Sequence, residues 1–263
     1  MIFDTHAHYD DEAFEEDREE LLTGMKGSGV ELIVNVGANM ESSKRSIALS
    51  EKYPFVYAAV GVHPDEVGEL TEEKLSKLRE WSKHPKVKAI GEIGLDYYWD
   101  KEQHELQKHW FHRQMELASE EKLPIIVHSR EAAKDTLDMM IAAKPLELQG
   151  VIHCYSYSVE QAREYLNMGY YLGIGGVLTF KNAKKLKEVA AYTPISQIVL
   201  ETDCPYLAPV PDRGKRNDSR KLLSVAGELA AIKNLPIEEV IRITNENGKR
   251  LYRIESQENN HER

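Results

Sequence analysis

The chain has 263 residues, of which 41% are hydrophobic, and its formal net charge is -10 at pH 7. That length accommodates one large α/β domain or two small ones. The acidic balance excludes broad electrostatic attraction to nucleic acid, although a local basic patch can still bind phosphate. Apolar runs of about 18 residues are absent, so we expect no membrane span.

Features of the N-terminus and of the cysteines indicate a cellular compartment. The chain does not begin with a basic segment followed by an apolar one, so we expect no secretory signal. The cysteines, Cys154 and Cys204, are too few for a disulfide framework. Both features favour a reducing cytoplasm. The oligomeric state stays open, and a monomer is compatible with the sequence.

Short apolar runs alternate with amphipathic stretches along the chain. The runs predict eight strands, at 3–8, 31–37, 55–61, 87–92, 125–128, 150–153, 170–174 and 198–203. Helical periodicity predicts helices at 12–25, 42–53, 71–83, 104–121, 131–143, 159–168, 183–191, 219–233 and 237–252. Several strands are continuous apolar runs, as expected when helices cover both faces of a parallel sheet.

This alternation predicts the fold. Eight strand–helix units in about 250 residues fit a closed α/β barrel, a (β/α)₈ TIM barrel. We therefore predict a single domain over 1–254 and a polar C-terminal tail at 255–263. The alternative, a doubly wound open sheet, should carry a glycine-rich phosphate turn after its first strand, and this chain has none there.

Histidines and carboxylates recur where the predicted strands end. In a barrel of this type, the active site is built from those ends and the loops that follow. His6 and His8 alternate onto one face of the first strand, with Asp4 behind them in a position to orient a ring. Five strands together supply six candidate metal ligands, His6, His8, Glu92, His128, His153 and Asp203.

Imidazole and carboxylate groups are typical ligands of divalent metals, with histidine favouring the first-row ions. Six ligands exceed the needs of one tetrahedral site, whereas two ions roughly 3.5–4 Å apart with one shared carboxylate would use them all. Glu92 is the natural bridge, because its strand lies between the two groups of ligands. The alternative for each histidine is an ordinary hydrogen-bonded residue at the barrel rim. We interpret five other histidines as surface or structural residues, because they lie on predicted helices, on the flanks of these helices or in the tail.

Seven sequence motifs carry these residues. In chain order they are Asp4-Thr-His-Ala-His8, Gly61-Val-His-Pro64, Gly91-Glu-Ile-Gly-Leu-Asp-Tyr-Tyr98, Val127-His-Ser-Arg130, Ile152-His-Cys-Tyr-Ser156, Leu200-Glu-Thr-Asp-Cys-Pro-Tyr-Leu207 and Arg213-Gly-Lys-Arg-Asn217. Together they resemble the motifs of the TatD-type metal-dependent deoxyribonucleases, and the resemblance extends from Met1 to about Tyr252. The chain departs from that pattern at Ser219, where the family usually has proline.

The resemblance implies an amidohydrolase-type TIM barrel that hydrolyses phosphodiesters with two divalent cations per subunit, such as Mg, Mn or Zn. It implies DNA as the partner, with single-stranded or frayed 3′ ends attacked by a 3′-5′ exonuclease. Carried over by position, His6 and His8 hold one ion with Asp203. His128 and His153 hold the other ion, and Glu92 bridges the two.

Asp203 and Glu92 are the predicted catalytic residues, with Asp203 as the base that takes a proton from water. His63, which lies too far along its strand to complete the metal set, is predicted to donate to a phosphate oxygen, as the resemblance favours. The chain's clearest basic cluster is predicted to bind substrate phosphates: Arg213, Lys215 and Arg216. Alternatively, these three residues belong to a solvated loop, and their positive charge is balanced by Asp212 and Asp218. Arg130 is a weaker phosphate-binding candidate, and Glu201 we place behind the ligands.

Two other functions stay open. A metal-dependent amidohydrolase or deacylase would use the same ions on a small amide or ester, without a phosphate-binding loop. A non-catalytic binding protein stabilised by metal would need only four closed ligands, so the larger set argues against it. The aromatic run Tyr97, Tyr98 and Trp99 either stacks an unpaired base or packs over the barrel mouth.

Overall fold

The structure is a computed structural model that describes residues 1–99 and 102–255. Its strands are β1 Ile2–Ala7, β2 Val30–Val36, β3 Val56–Val60, β4 Val87–Asp96, β5 Ile125–Arg130, β6 Gly150–Ile152, β7 Tyr171–Ile174 and β8 Ile198–Leu200. Its α-helices are α1 Arg18–Gly24, α2 Met40–Lys52, α3 Glu72–Ser82, α4 His104–Glu121, α5 Ala133–Ala142, α6 Val159–Asn167, α7 Lys184–Tyr192, α8 Leu222–Lys233 and α9 Ile237–Leu251. Of the predicted tail, only Glu255 lies within the described residues.

The strands form one parallel sheet in the order β1 to β8. The two edges of this sheet meet beyond the end of β8. There the Asp203 N–H donates to the carbonyl oxygen of His6 at 2.9 Å, and Ala7 forms a parallel bridge with Cys204. The Thr5 hydroxyl adds a bond to the Leu200 carbonyl oxygen at 2.9 Å. The predicted (β/α)₈ TIM barrel is confirmed.

Helix α9 packs across the seam between β1 and β8. The Phe3 ring lies 5.9 Å from the ring of Tyr252, which directly follows this helix. Gly248 allows that approach, since a Cβ there would lie 2.6 Å from an atom of the Phe3 ring. The Tyr252 hydroxyl donates to the Thr5 carbonyl oxygen at 2.8 Å. The C-terminal helix thus fixes the strand that carries His6.

Several element bounds differ from the expectations, among them the start of α1 and the ends of β4 and β8. The helix predicted at 12–25 begins as a short 3-10 turn, Glu12–Phe14, whose first turn is capped by the Asp11 side chain, and α1 starts only at Arg18. Strand β4 continues to Asp96 because its last residues pair with β5, Gly94 opposite His128. Strand β8 ends at Leu200, so Asp203 lies in the turn that follows it. Within the described ranges, every helix is too short or too polar to cross a membrane.

Candidate metal centre

All six predicted ligands lie at one mouth of the barrel. They belong to β1 and the residue after it, to β4 and β5, and to the turns after β6 and β8: His6, His8, Glu92, His128, His153 and Asp203. Because the strands are parallel, their carboxyl ends meet at this mouth. His6, Glu92 and His153 are buried, while Asp203, with 19% of its side chain exposed, is the most open of the six.

Glu92 lies between two pairs of histidines. Its Oε2 is 3.3 Å from His6 Nε2 and 3.7 Å from His8 Nε2. Its Oε1 is 2.7 Å from both His128 Nδ1 and His153 Nε2. Each carboxylate oxygen therefore faces one histidine pair, which is the arrangement that a bridging ligand requires.

The first pair has a carboxylate of its own. Asp203 Oδ1 lies 3.3 Å from His8 Nε2 and 3.6 Å from His6 Nε2, and the two ring nitrogens are 3.0 Å apart. Asp203 reaches this position from a left-handed backbone conformation, with φ +56°. The second pair, His128 Nδ1 and His153 Nε2, is 3.2 Å apart and shares only the Glu92 carboxylate.

Hydrogen bonds behind the rings orient two of these histidines. His8 Nδ1 donates to the Val36 carbonyl oxygen at 2.8 Å, and His128 Nε2 donates to Asp96 Oδ2 at 2.9 Å. These bonds leave His8 Nε2 and His128 Nδ1 as lone-pair donors facing the centre. Two imidazole pairs and carboxylate oxygens suit divalent first-row cations, so the residues fit such ions.

The charges of the acids are balanced by the rings around them. Burial lowers the pKa of His8, but the carboxylates of Asp203 and Glu92 outweigh it and raise that pKa to about 9. Burial raises the pKa of Glu92, but the imidazoles of His153, His128 and His6 hold it well below its usual range. Divalent cations would take over this balancing role and release the imidazole protons.

Comparisons with known proteins show which family the chain belongs to. Residues 3–253 match the sequence model of the family described as TatD related DNase. The chain belongs to that family. It is 45% identical over 254 residues to the Bacillus subtilis protein named "Uncharacterized metal-dependent hydrolase YabD", an alignment that covers 97% of this chain and all of that one.

Two further relatives come from Escherichia coli K12. The one named "Uncharacterized metal-dependent hydrolase YcfH" is 32% identical over 259 residues, and 97% of each chain is covered. The crystal structure of YjjV, a TatD homologue, superposes with a TM-score of 0.90 at 31% identity, covering 97% of this chain and 98% of that one. This TatD family member is therefore a metal-dependent hydrolase.

Asp4 has a different task in this TatD family member from the one expected. Among the described residues, its buried carboxylate makes no hydrogen bond to the ring of His6 or His8. It accepts bonds from the Thr202 N–H at 3.0 Å, the Thr202 hydroxyl at 2.6 Å and the Ser219 hydroxyl at 2.6 Å. Asp4 thereby ties β1 to the turn that carries Asp203.

His63 lies closer to the ligands than expected. Its Nε2 is 3.7 Å from Glu92 Oε1, and its ring centre is 4.3 Å from that of His128, so the expectation that it lies too far away was wrong. Its Nδ1 accepts the Asp65 N–H at 3.2 Å, which places the ring proton on Nε2. Burial and the neighbouring His128 lower its pKa to about 3, so the ring is a neutral donor.

The predicted phosphate-binding loop does not reach the centre of this TatD family member. Arg216 Nη1 pairs with Asp17 Oδ1 at 2.8 Å, and Lys215 Nζ pairs with Asp212 Oδ1 at 2.8 Å. The Arg213 guanidinium lies 4.4 Å from the Phe180 ring centre. Among the described residues that line the cleft over the centre, none comes from 213–216.

Other cations line that cleft, which encloses about 760 Å³. Arg45, on α2, was missed because nothing in its helical pattern distinguishes it from an ordinary exposed arginine. Arg130 lines the cleft at the end of β5, with its guanidinium 4.1 Å from the Tyr98 ring centre and 5.5 Å from that of Trp99. Trp99 is 67% exposed. Tyr97 packs instead, since its hydroxyl bonds Asp135 Oδ2 at 2.8 Å.

Proposed function

We propose that this metal-dependent hydrolase is a two-metal phosphodiesterase that removes nucleotides from the 3′ end of unpaired DNA. The observation that carries the proposal is the placement of Glu92, whose two oxygens face two separate histidine pairs. One cation would be held by His6, His8 and Asp203, and the other by His128 and His153. Two cations held side by side suit the in-line displacement at a phosphodiester.

Each side chain around the cleft has a definite part in this proposal. When bound, the two cations would neutralise charge on the phosphodiester and acidify the attacking water. Asp203, the most exposed of the six predicted ligands, takes the proton from that water. His63, with its proton on Nε2, donates to a phosphate oxygen beside Glu92.

The walls of the cleft favour an unpaired strand. Trp99 presents an exposed ring, and every base has a face that stacks on such a ring. Arg130 lies against this ring and offers a guanidinium to a backbone phosphate. The cleft is also lined by Asp10, Asp11 and Glu12, which would repel the second strand of a duplex. The basic residues are local, as expected for an acidic protein that binds a strand end.

End-labelled DNA tests the proposal. Chelator-treated protein is supplied in turn with Mg²⁺, Mn²⁺ or Zn²⁺ and given single-stranded DNA, blunt duplex and RNA, each labelled at the 5′ end. We expect 5′-labelled single-stranded DNA to shorten one nucleotide at a time. A Glu92→Gln variant should lack this activity, and Glu188→Gln, which changes an exposed glutamate on α7 outside the cleft, should keep it.

Other outcomes would contradict the proposal in distinct ways. Internal cuts would exclude 3′ exonuclease action while keeping the phosphodiesterase. Turnover of small amides or esters, with every nucleic acid left intact, would favour an amidohydrolase on the same residues. Metal binding without turnover of any of these substrates would favour the non-catalytic alternative.

A further inference from the structure

Two of the four histidines at the centre lack a simple partner behind the ring. His8 and His128 donate their outer nitrogens to Val36 and Asp96, as described above. The outer nitrogens of the other two, His6 Nδ1 and His153 Nδ1, are buried without a hydrogen-bond partner among the described residues. The same holds for one carboxylate oxygen, Glu201 Oε2.

These three side chains converge behind the centre. A ring nitrogen of His6, one of His153 and a carboxylate oxygen of Glu201 all lie within 4.8 Å of one another. The two rings stack with centres 4.1 Å apart and planes 14° apart. His153 Nδ1 is 3.7 Å from Glu201 Oε1. All three residues are buried, so bulk water does not satisfy them.

We infer that Glu201 is a positioning residue that accepts the Nδ1 protons of both His6 and His153. The inference rests on the two-cation centre proposed above. A histidine that ligates a cation through Nε2 must carry its proton on Nδ1, and such a proton almost always has a carboxylate, carbonyl or water as acceptor. Glu201 is the carboxylate that lies behind both rings.

A third cation at this place is the poorer explanation. A third cation would need the Nδ1 lone pairs of His6 and His153. The Nε2 lone pairs of the same rings already belong to the two proposed cations beside Glu92, so each ring would have to lose both of its N–H protons. Neutral imidazole has only one lone pair for a ligand. Two N–H donors and one acceptor carboxylate satisfy all three groups without that cost.

The backbone around Glu201 holds its carboxylate in place. The Cys154 N–H donates to Oε1, which fixes one oxygen. Gly173, in β7, leaves room for the other oxygen, because a Cβ there would lie 2.2 Å from Oε2. The carboxylate thus occupies a slot made by a glycine, and a side chain at 173 would displace it.

A shared acceptor has a consequence that separate acceptors lack. His6 belongs to the ligand set of one cation and His153 to the set of the other. Loss of Glu201 should therefore weaken both cations together. Loss of Asp96, which lies behind His128 alone, should weaken one.

Metal affinity and ring tautomers test the inference. Zinc affinity is measured by competition with a chromophoric chelator, and histidine tautomers by ¹⁵N NMR of the zinc-loaded protein. In Glu201→Gln we expect about 10–100-fold weaker affinity for both ions. In the unchanged protein, His6 and His153 should show protons on Nδ1, and in Glu201→Gln these signals should shift or exchange with water.

A second variant separates the carboxylate's position from its charge. Gly173→Ala keeps Glu201 but moves its oxygens, so it too should weaken both ions. Gly24→Ala is the matched control, because nothing lies within 4 Å of a Cβ there. Circular dichroism of each metal-free variant checks that the barrel is folded.

Three results would overturn the inference. They are unchanged affinity in Glu201→Gln, loss of only one ion in that variant, and Nδ1 without a proton in the zinc-loaded protein. If the unchanged protein binds a single ion, the two-cation centre fails but the Glu201 test stands, since each predicted ion has one of these histidines. Absence of DNA cleavage would likewise leave the affinity readout intact.

Discussion

The two halves of the candidate metal centre are built differently. The half formed at β1 and β8 has two histidines and its own carboxylate, Asp203, which opens toward the cleft. The half formed at β5 and β6 has two histidines and shares only Glu92. Its additional acid, Asp96, lies one hydrogen bond further out, behind His128.

On the proposed two-cation reading, this difference would give the two halves different roles. A cation beside Asp203 and Glu92 would be largely neutralised, whereas one beside Glu92 alone would keep more charge for a phosphate oxygen. His63, the neutral donor, lies against the second half, near His128. We infer that the first half handles the proton of the attacking water and the second half holds the phosphate.

Removal of the bridge should abolish the distinction between the halves and have the largest effect. In Glu92→Gln a neutral amide replaces the carboxylate, so both ligand sets lose the negative charge that they share. We therefore expect loss of both ions and about 10⁴-fold or greater loss of turnover. Metal content after dialysis, measured together with DNA cleavage, checks this. Retention of one ion at full occupancy would show that Glu92 serves one half only.

Substitution of Asp203 should break the first half selectively. In Asp203→Asn the histidines still bind metal, but the proton acceptor is lost, so turnover should fall roughly 10²–10⁴-fold. The control is Asp138→Asn, which changes an exposed aspartate on α5. Turnover equal to that of the control would remove Asp203 from the role of base.

Substitution of Asp96 should affect the second half alone. Asp96→Asn weakens the acceptor behind His128, and we expect about 10–100-fold weaker binding of one ion with the other unchanged. Titration of the metal-free protein with Mn²⁺, read by electron paramagnetic resonance, distinguishes the two sites. Equal weakening of both ions would contradict the division into halves.

Much of the barrel was predictable because a strand that is buried on both faces has an almost continuous apolar sequence. The predicted helix at 104–121 has the bounds found for α4, His104–Glu121. The bounds of β4 and β8 were not predictable, since they depend on pairing with neighbouring strands, as Gly94 pairs with His128. The break before α1 was not predictable either, because the Ala13 carbonyl and the Asp17 side chain on its two sides accept hydrogen bonds from Arg216, which is distant in sequence.

The convergence of the six candidate ligands was predictable for a topological reason: parallel strand ends converge at one mouth wherever the intervening helices lie. The position of the basic loop at 213–216 was not predictable, because a loop's path is set by partners distant in sequence. Arg216 is drawn to Asp17, 199 positions away, and so leaves the cleft. Arg130, a candidate from the sequence because it ends a strand motif, does line the cleft, whereas Arg45 reaches it from a helix, where a single arginine carries no distinctive pattern.

Substitution of Trp99 tests whether a base of an unpaired strand stacks on its ring at the rim of the cleft. Trp99→Ala should raise KM for single-stranded DNA by an amount that corresponds to about 1–3 kcal/mol, while kcat changes little. Trp99→Phe should recover part of the loss. An oligonucleotide with an abasic 3′-terminal sugar is the internal control, since it has no base to stack. Equal effects on both substrates would show that Trp99 packs rather than stacks.

Substitutions in the loop at 213–216 should have the smallest effect on KM, because this loop lies outside the proposed site. Lys215 already pairs with Asp212, and its loop contributes nothing to the cleft wall among the described residues. Exposed pairs of this kind contribute little, so Lys215→Gln should change KM less than about twofold and leave its salt dependence unaltered. Arg130→Gln, which removes a cation from the cleft itself, should raise KM and flatten that dependence. If the two variants behaved alike, the phosphate path would extend over the loop as well, and the second half would hold only the first of several phosphates.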